Sequence, residues 1–440
     1  MVLYYDSKLI LYKGCVSLII HTVSRGESLY SIANTYGINY LFLAEQNGIM
    51  PPYMITEGQS LIILTPEKEY TVREGDSLYS VSRSFGITEK ELLRNNPSLI
   101  GSEYLPVGKN LVISFTDKKR GRLSVNGYAY PSISKDTLNY ALAYLTYLTP
   151  FTYEATGDGS LISIDDSDLI ASAESAKVKT LLSVSTLSPS GGFSSEASDA
   201  ILNSISSKNA LLKEISATAA NLSYDGVDMD FEYIYGRNAS AYANLLGELS
   251  GIFNPDKITV VAVAPKTRAD QAGVLYEGHD YRLLGYNANK VFLMTYEWGY
   301  TYGPPLAVAP INRVREVVNY ALSEIPQNKI WMGVPNYGYD WTLPYVSGES
   351  RARAISNVAA INIARRYGVP IRFNETSASP YFNYTDSSGR NHEVWFEDAR
   401  SILAKLDLVS EKGLSGIGIW NLMNSFPTLF TIINALYDIE

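Results

Sequence analysis

From residue 122 to its end, the chain alternates short runs of strand-forming residues with amphipathic helical stretches, eight times over. The runs lie at 124–130, 144–151, 180–185, 226–233, 259–265, 291–297, 331–337 and 416–421, with helical periodicity between them, for example at 197–218 and 312–325. Such alternation is the signature of a parallel α/β sheet, and eight βα units over ~320 residues predict a (β/α)8 TIM barrel. The gap between the last two runs is the longest and predicts a small α+β insertion at about 345–398. In a barrel of this kind, functional side chains gather at the C-terminal ends of the strands.

The fourth run carries the chemistry. Asp228, Asp230 and Glu232 alternate with Val227, Met229 and Phe231. In a strand these two sets face opposite ways, and the acids stand ~6–7 Å apart. In a low-dielectric pocket they will not all ionise at neutral pH. Three readings compete. A solvated edge strand fits poorly with such apolar partners. A Ca²⁺ or Mg²⁺ site has no nearby His or second acidic cluster to complete it. Catalysis is favoured: an acid beside a second carboxylate can protonate a leaving oxygen and steer the charge that follows.

Other strand ends supply partners. Met294, Tyr296 and Glu297 close the sixth run, Tyr337 the seventh and Trp420 the eighth, while Tyr128 lies in the first and Ser183 in the third. Each aromatic alone would be a core residue. Their joint placement beside an acidic row marks a site.

Upstream, the chain repeats itself. Residues 21–32 are answered by 70–81, an offset of 75 − 26 = 49 at Gly26/Gly75 that becomes 108 − 58 = 50 at Gly58/Gly108. Each copy reads strand, Gly turn, a helix capped by Ser28 or Ser77, a second helix and a closing strand. This predicts two small modules at 21–65 and 69–115, joined by a solvated basic linker at 118–120 to the barrel at 122–440. Residues 1–20 stay unassigned. They show no basic n-region or cleavage site, so the protein is expected to be made in the cytoplasm without a signal peptide. Cys15 is the single cysteine, which excludes an internal disulfide. A net charge of −9 argues against nucleic acid and anionic membrane, and no run of ~18 apolar residues predicts a membrane span.

The repeats resemble LysM modules. That resemblance implies a βααβ fold gripping N-acetylglucosamine polymers such as peptidoglycan or chitin through the loop after the first strand: Gly26, Ser28 and Leu29 in one copy, Gly75, Asp76, Ser77 and Leu78 in the other. Residues 225–232 match the motif Asp-Gly-x-Asp-x-Asp-x-Glu without substitution, and the barrel resembles glycoside hydrolase family 18. Together with the two modules and residues 394–400, it is similar to spore cortex-lytic and sporulation-specific glycosylases.

The resemblance implies a retaining, substrate-assisted hydrolase of N-acetylglucosaminyl bonds in peptidoglycan, with chitinase and non-catalytic lectin as alternatives. Glu232 would be the acid and base, and Asp230 would hold the acetamido group. Asp228, supported by Ser183, would share a proton with Asp230. Tyr296 would donate to the acetamido oxygen, Trp420 would floor the sugar, and Met294, Tyr128, Tyr337 and Glu297 would complete substrate binding. It further implies no metal or other cofactor, a monomer, and residence in the spore cortex or coat, or the cell wall. Three departures from the family pattern stand out: Ser183-Val184-Ser185-Thr186 on the third strand, Glu297 in place of Asp, and Tyr339 in place of Arg.

Overall fold

The structure, a computed structural model, describes residues 18–102, 104–188 and 191–440, so Cys15 and most of the unassigned leader lie outside the described residues. Eight parallel strands form the barrel: Arg122–Ala129, Tyr147–Pro150, Lys179–Ser185, Gly226–Asp230, Ile258–Val263, Lys290–Leu293, Ile330–Pro335 and Gly416–Trp420. Each pairs with the next, and the eighth closes on the first at Gly416↔Ser124. Closure leaves no unpaired edge. Helices cover the outside. The single helix expected at 197–218 is two, Ser195–Asn203 and Ile205–Asn221, because extended Ser204 caps the second through the Ser207 N–H. No helix among the described residues is long and apolar enough to cross a membrane.

The insertion starts earlier than its expected 345. Gly338–Leu343 leaves the seventh strand directly as the second strand of an antiparallel sheet ordered Arg353–Ile355, Gly338–Leu343, Asn391–Trp395, Ser379–Thr385, Arg372–Asn374. The reason is continuity: only Asn336 and Tyr337 separate the seventh strand from Gly338–Leu343, a break too short to show as a boundary in the sequence pattern. Helix Asn357–Tyr367 packs on one face of this sheet around a core of its own.

Each repeat folds as strand, two helices, strand. Ile19–Thr22 pairs with Ser60–Ile63, and Pro66–Thr71 pairs with Asn110–Phe115. Ser28 and Ser77 both head capping boxes, closed by Ser31 and Ser80, and Gly37 and Gly86 end the first helices at positive φ.

The modules are not strung on a solvated linker. Leu18, Ile62 and Leu64 belong to the barrel's own core cluster. The C-terminal helix Pro427–Leu436 lies against both modules: Thr431 donates to the Gln46 carbonyl at 2.8 Å, and Asn434 to Asn95 Oδ1 at 2.9 Å. Lys119, expected to be solvated, donates to the carbonyls of Asn434 and Tyr437, and Arg120 pairs with Asp407 at 2.6 Å. The last carbonyls of a helix lack intrahelical donors and attract cations, so Lys119 is recruited there. Burial pushes the Lys119 amine down to about 8.

Candidate active site

Strand alternation places the acids. Val227, Met229 and Phe231 point outward and are fully buried under the helices, with Phe231 stacked on Tyr242 at 5.6 Å. Asp228 and Asp230 point into the barrel, 0% and 5% exposed, and Glu232 stands just beyond the strand's end. Tyr128 donates to Asp228 Oδ2 at 2.7 Å, while Oδ1 of Asp228 and of Asp230 have no hydrogen-bond partner among the described residues.

Burial then sets the protons. It pushes Asp228 up to about 6 against the opposing hydrogen bond from Tyr128. Asp230 is pushed well above the carboxylate range, by burial first and then by the charges of Glu232 and Asp228. Glu232 rises to about 7, through burial and the nearby Glu297. No cation among the described residues contributes to any of the three shifts. The row therefore carries protons into the neutral range, as a general acid requires.

Asp230 and Glu232 open into a cavity of about 230 Å³ lined also by Met294, Tyr296, Glu297, Tyr128 and Trp420. Trp420 is wedged among rings: Phe151 meets it edge-on at 4.8 Å, Tyr128 at 5.5 Å, and Tyr296 lies nearly parallel at 6.5 Å. A box of rings with acids on one wall suits a sugar, whose C–H faces pack on aromatic surface while its polar groups reach the carboxylates.

Two expected contributions sit differently. Ser183 does not support Asp228. Its hydroxyl donates to Thr152 Oγ1 at 2.9 Å, and Tyr128 takes the supporting position. The strands bring Ser183 and Asp228 side by side in register, but a nearer acceptor captures the hydroxyl. Tyr337 is not on the cavity wall; it stands behind Glu297 and donates to Glu297 Oε1, which also accepts from Tyr339 at 3.0 Å. Burial raises the Glu297 carboxyl, and the two phenols oppose that rise. Glu297 sits at φ 66, a left-handed conformation that costs a non-glycine residue energy and marks functional sites.

Tyr130, Phe151 and Phe193 also line the cavity and were not singled out from sequence. Tyr130 and Phe151 end the first two predicted runs, so the rule that found Trp420 could have found them.

In the modules, Gly26 and Gly75 adopt φ of 87 and 85 at the turn before each capped helix. The side chains of Ser28 and Ser77 serve as caps. Asp76 accepts from the Arg73 N–H and the Tyr70 hydroxyl, both at 2.7 Å. Leu29 is 3% exposed and Leu78 packs on its module's core. Each leucine stands on the apolar face of its amphipathic helix and packs against its own module, which corrects their reading as sugar contacts. The exposed rings one residue on, Tyr30 and Tyr79, offer the free surface instead.

No three His, Cys, Asp or Glu among the described residues are grouped to hold a metal. His21 and His392 are engaged by carboxylates, and burial pushes His279, bonded to the Phe231 carbonyl, down to about 4.

The sequence model described as Glycosyl hydrolases family 18 matches residues 113–424, and the LysM domain model matches 21–64 and 70–114. The cortical fragment-lytic enzyme of Bacillus anthracis is 37% identical over 414 residues, 93% of this chain and 96% of that protein. Its namesake in Bacillus subtilis (strain 168) is 43% identical over 300 residues, 68% of this chain and 69% of that protein. The crystal structure of the Bacillus megaterium QM B1551 spore cortex-lytic enzyme SleL superposes with a TM-score of 0.81 at 38% identity, covering 96% of this chain and 98% of that one.

Proposed function

Because the chain belongs to glycosyl hydrolase family 18, and is thus a glycosidase carrying two LysM domains, we propose that it cleaves N-acetylglucosaminyl bonds of spore cortex peptidoglycan with retention. The observation that carries this reading is Glu232, an acid raised to about 7 at the wall of an aromatic cavity.

Glu232 gives its proton to the glycosidic oxygen as the bond to C1 breaks. The substrate's own acetamido carbonyl oxygen forms the new bond to C1, leaving an oxazolinium ion. Asp230, protonated by its surroundings, holds the acetamido group in line and offsets the charge that develops, and Tyr296 donates to the acetamido oxygen. Asp228, bound to Tyr128, takes up the proton that Asp230 releases. Glu232 then removes a proton from water, which opens the ion and restores the acid. Trp420 floors the sugar, with Met294 and Glu297 at the wall and Tyr337 behind Glu297, holding its carboxyl. The residues assigned to this chemistry belong to the chain, and no cofactor is needed. The modules hold the polymer near the cavity, in keeping with residence in the spore cortex or cell wall.

The test is reducing-end release from soluble cortex fragments and from chitin oligomers, measured in parallel. Cortex fragments should be cleaved with the higher kcat/KM. A higher value on chitin oligomers overturns the substrate, and no release from either overturns the activity.

A further inference from the structure

Trp420 ends the eighth strand, so the floor of the cavity depends on what holds the chain just after it. The ladder between the seventh and eighth strands ends at Pro335↔Trp420, and proline has no N–H to extend it. Asn336, the next residue and 1% exposed, takes over. Its N–H donates to the Trp420 carbonyl at 2.9 Å, and its side-chain Nδ2 donates to the carbonyls of Asn421 at 3.0 Å and Asn424 at 2.8 Å. One residue thus satisfies three backbone acceptors of the floor loop, the carbonyls of Trp420, Asn421 and Asn424.

That amide is itself held. Asn336 Oδ1 accepts from Asn357 Nδ2 at 3.3 Å, and Asn357 Oδ1 accepts from the Glu397 N–H at 2.9 Å. Asn357, 1% exposed, opens the helix of the inserted subdomain. The pattern admits one orientation for each amide. Turned over, Asn336 would set its oxygen against two carbonyl oxygens and its NH₂ against another NH₂.

We propose that Asn336, oriented by Asn357, is a positioning residue that keeps Trp420 in register with Glu232, so that the inserted subdomain helps to set the sugar floor. The proposal rests on the reading of Trp420 as that floor. Asn336 touches no substrate. It supplies the donors that buried carbonyls of the loop need, and a loop deprived of them shifts to find others. A sub-ångström shift of the floor loses contacts formed with the distorted sugar, so the loss falls on kcat rather than on KM.

The experiment compares Trp420→Ala, Asn336→Asp and Asn357→Ala in the full chain, reading kcat, KM and Tm on soluble cortex fragments. Trp420→Ala should lower kcat/KM about 100-fold. Asn336→Asp keeps the shape but loses both donors, and should lower kcat about 10- to 30-fold with KM within about threefold. Asn357→Ala should lower kcat about threefold, and combining it with Asn336→Asp should cost nothing more, because both act through one amide. Asn336→Asp that lowers Tm alone, with kcat within twofold of the parent, overturns the proposal. Should that variant not fold, a folded Asn357→Ala with unchanged kcat overturns it equally. If Trp420→Ala is itself harmless, the floor reading fails, which is a separate result.

Discussion

Of the carboxylates withdrawn from water in this molecule, two sets are treated in opposite ways. Glu397, at the base of the inserted subdomain, is fully buried beside the fully buried Lys405, whose amine donates to it at 2.8 Å. Burial still raises the Glu397 carboxyl, with Lys405 pulling it down. Asp228, Asp230 and Glu232 are crowded together with no cation among the described residues pulling them down: burial raises all three, the charges of Glu232 and Asp228 add to the rise of Asp230, and Glu297 adds to that of Glu232. In the first set a fixed charge answers the acid. In the second a proton does, and a proton can be handed to a substrate. Uncompensated repulsion is costly, so its location separates a working site from a structural one better than the count of buried acids does.

The largest expected effect breaks the second set at its outer member. Glu232→Gln keeps the shape and removes the donated proton, so kcat/KM on soluble fragments should fall by ~10²–10⁴ while Tm holds or rises. A variant keeping more than a tenth of the parent rate removes Glu232 from the acid's role. The matching change in the first set is Lys405→Met, which strands a buried acid. It should cost ~3–5 kcal/mol of stability by denaturant unfolding, and Glu397→Gln in addition should return most of that. If the double variant is as unstable as the single, Lys405 is a packing residue and the contrast between the sets weakens.

These two sets were not equally legible in the sequence. The acidic row was visible because strand periodicity is local: three acids at spacing two define a face wherever the strand goes. Glu397 and Lys405 lie eight residues apart across a loop and a helix, and nothing local says that both will be buried. The same division runs through the fold. The eight strands, the module repeats and the Ser28 and Ser77 caps follow from local pattern. The docking of the modules does not. Gly48 and Gly58 read as ordinary turn glycines, yet a Cβ on Gly48 would meet the Pro427 ring at 2.5 Å and one on Gly58 the Ile371 carbonyl at 1.9 Å. A turn glycine and a close-approach glycine look alike in one sequence. Ser183 erred for a related reason: strand register put it beside Asp228, but which neighbour captures a hydroxyl is decided by side-chain geometry.

A smaller effect measures the cost of the acidic row in stability. Burial raises the folded value of Asp228 to about 6, above the ordinary range of an aspartate. The stability linked to its proton is complete below the unfolded value and is lost as pH rises through the folded one. Asp228→Asn, which never ionises, should therefore stabilise the protein at pH 8 by on the order of 1–3 kcal/mol and change little near pH 3, while impairing turnover. Thermal unfolding at both pH values checks this. Equal Tm changes at the two would mean that the row's charge is relieved by water, against its separation from the compensated pair.

The smallest effect tests whether a neighbour outside the row tunes it. Glu297 is the second cause of the rise in Glu232, after burial. A general acid must be protonated to act, so kcat should fall on the alkaline side as pH rises through the Glu232 value of about 7. Glu297→Gln removes the negative charge and retains an oxygen to accept from Tyr337 and Tyr339. With less repulsion to hold its proton, Glu232 releases it sooner, and the alkaline limb should move to lower pH by at most about one unit. Turnover at pH 5 should stay within a few-fold of the parent and drop visibly at pH 8, with the acidic limb in place. A uniform loss across the profile would instead make Glu297 a substrate contact with no electrostatic reach. A limb displaced upward would mean that Glu297 carries a proton in the resting site and donates to Glu232, reversing the sign of its influence.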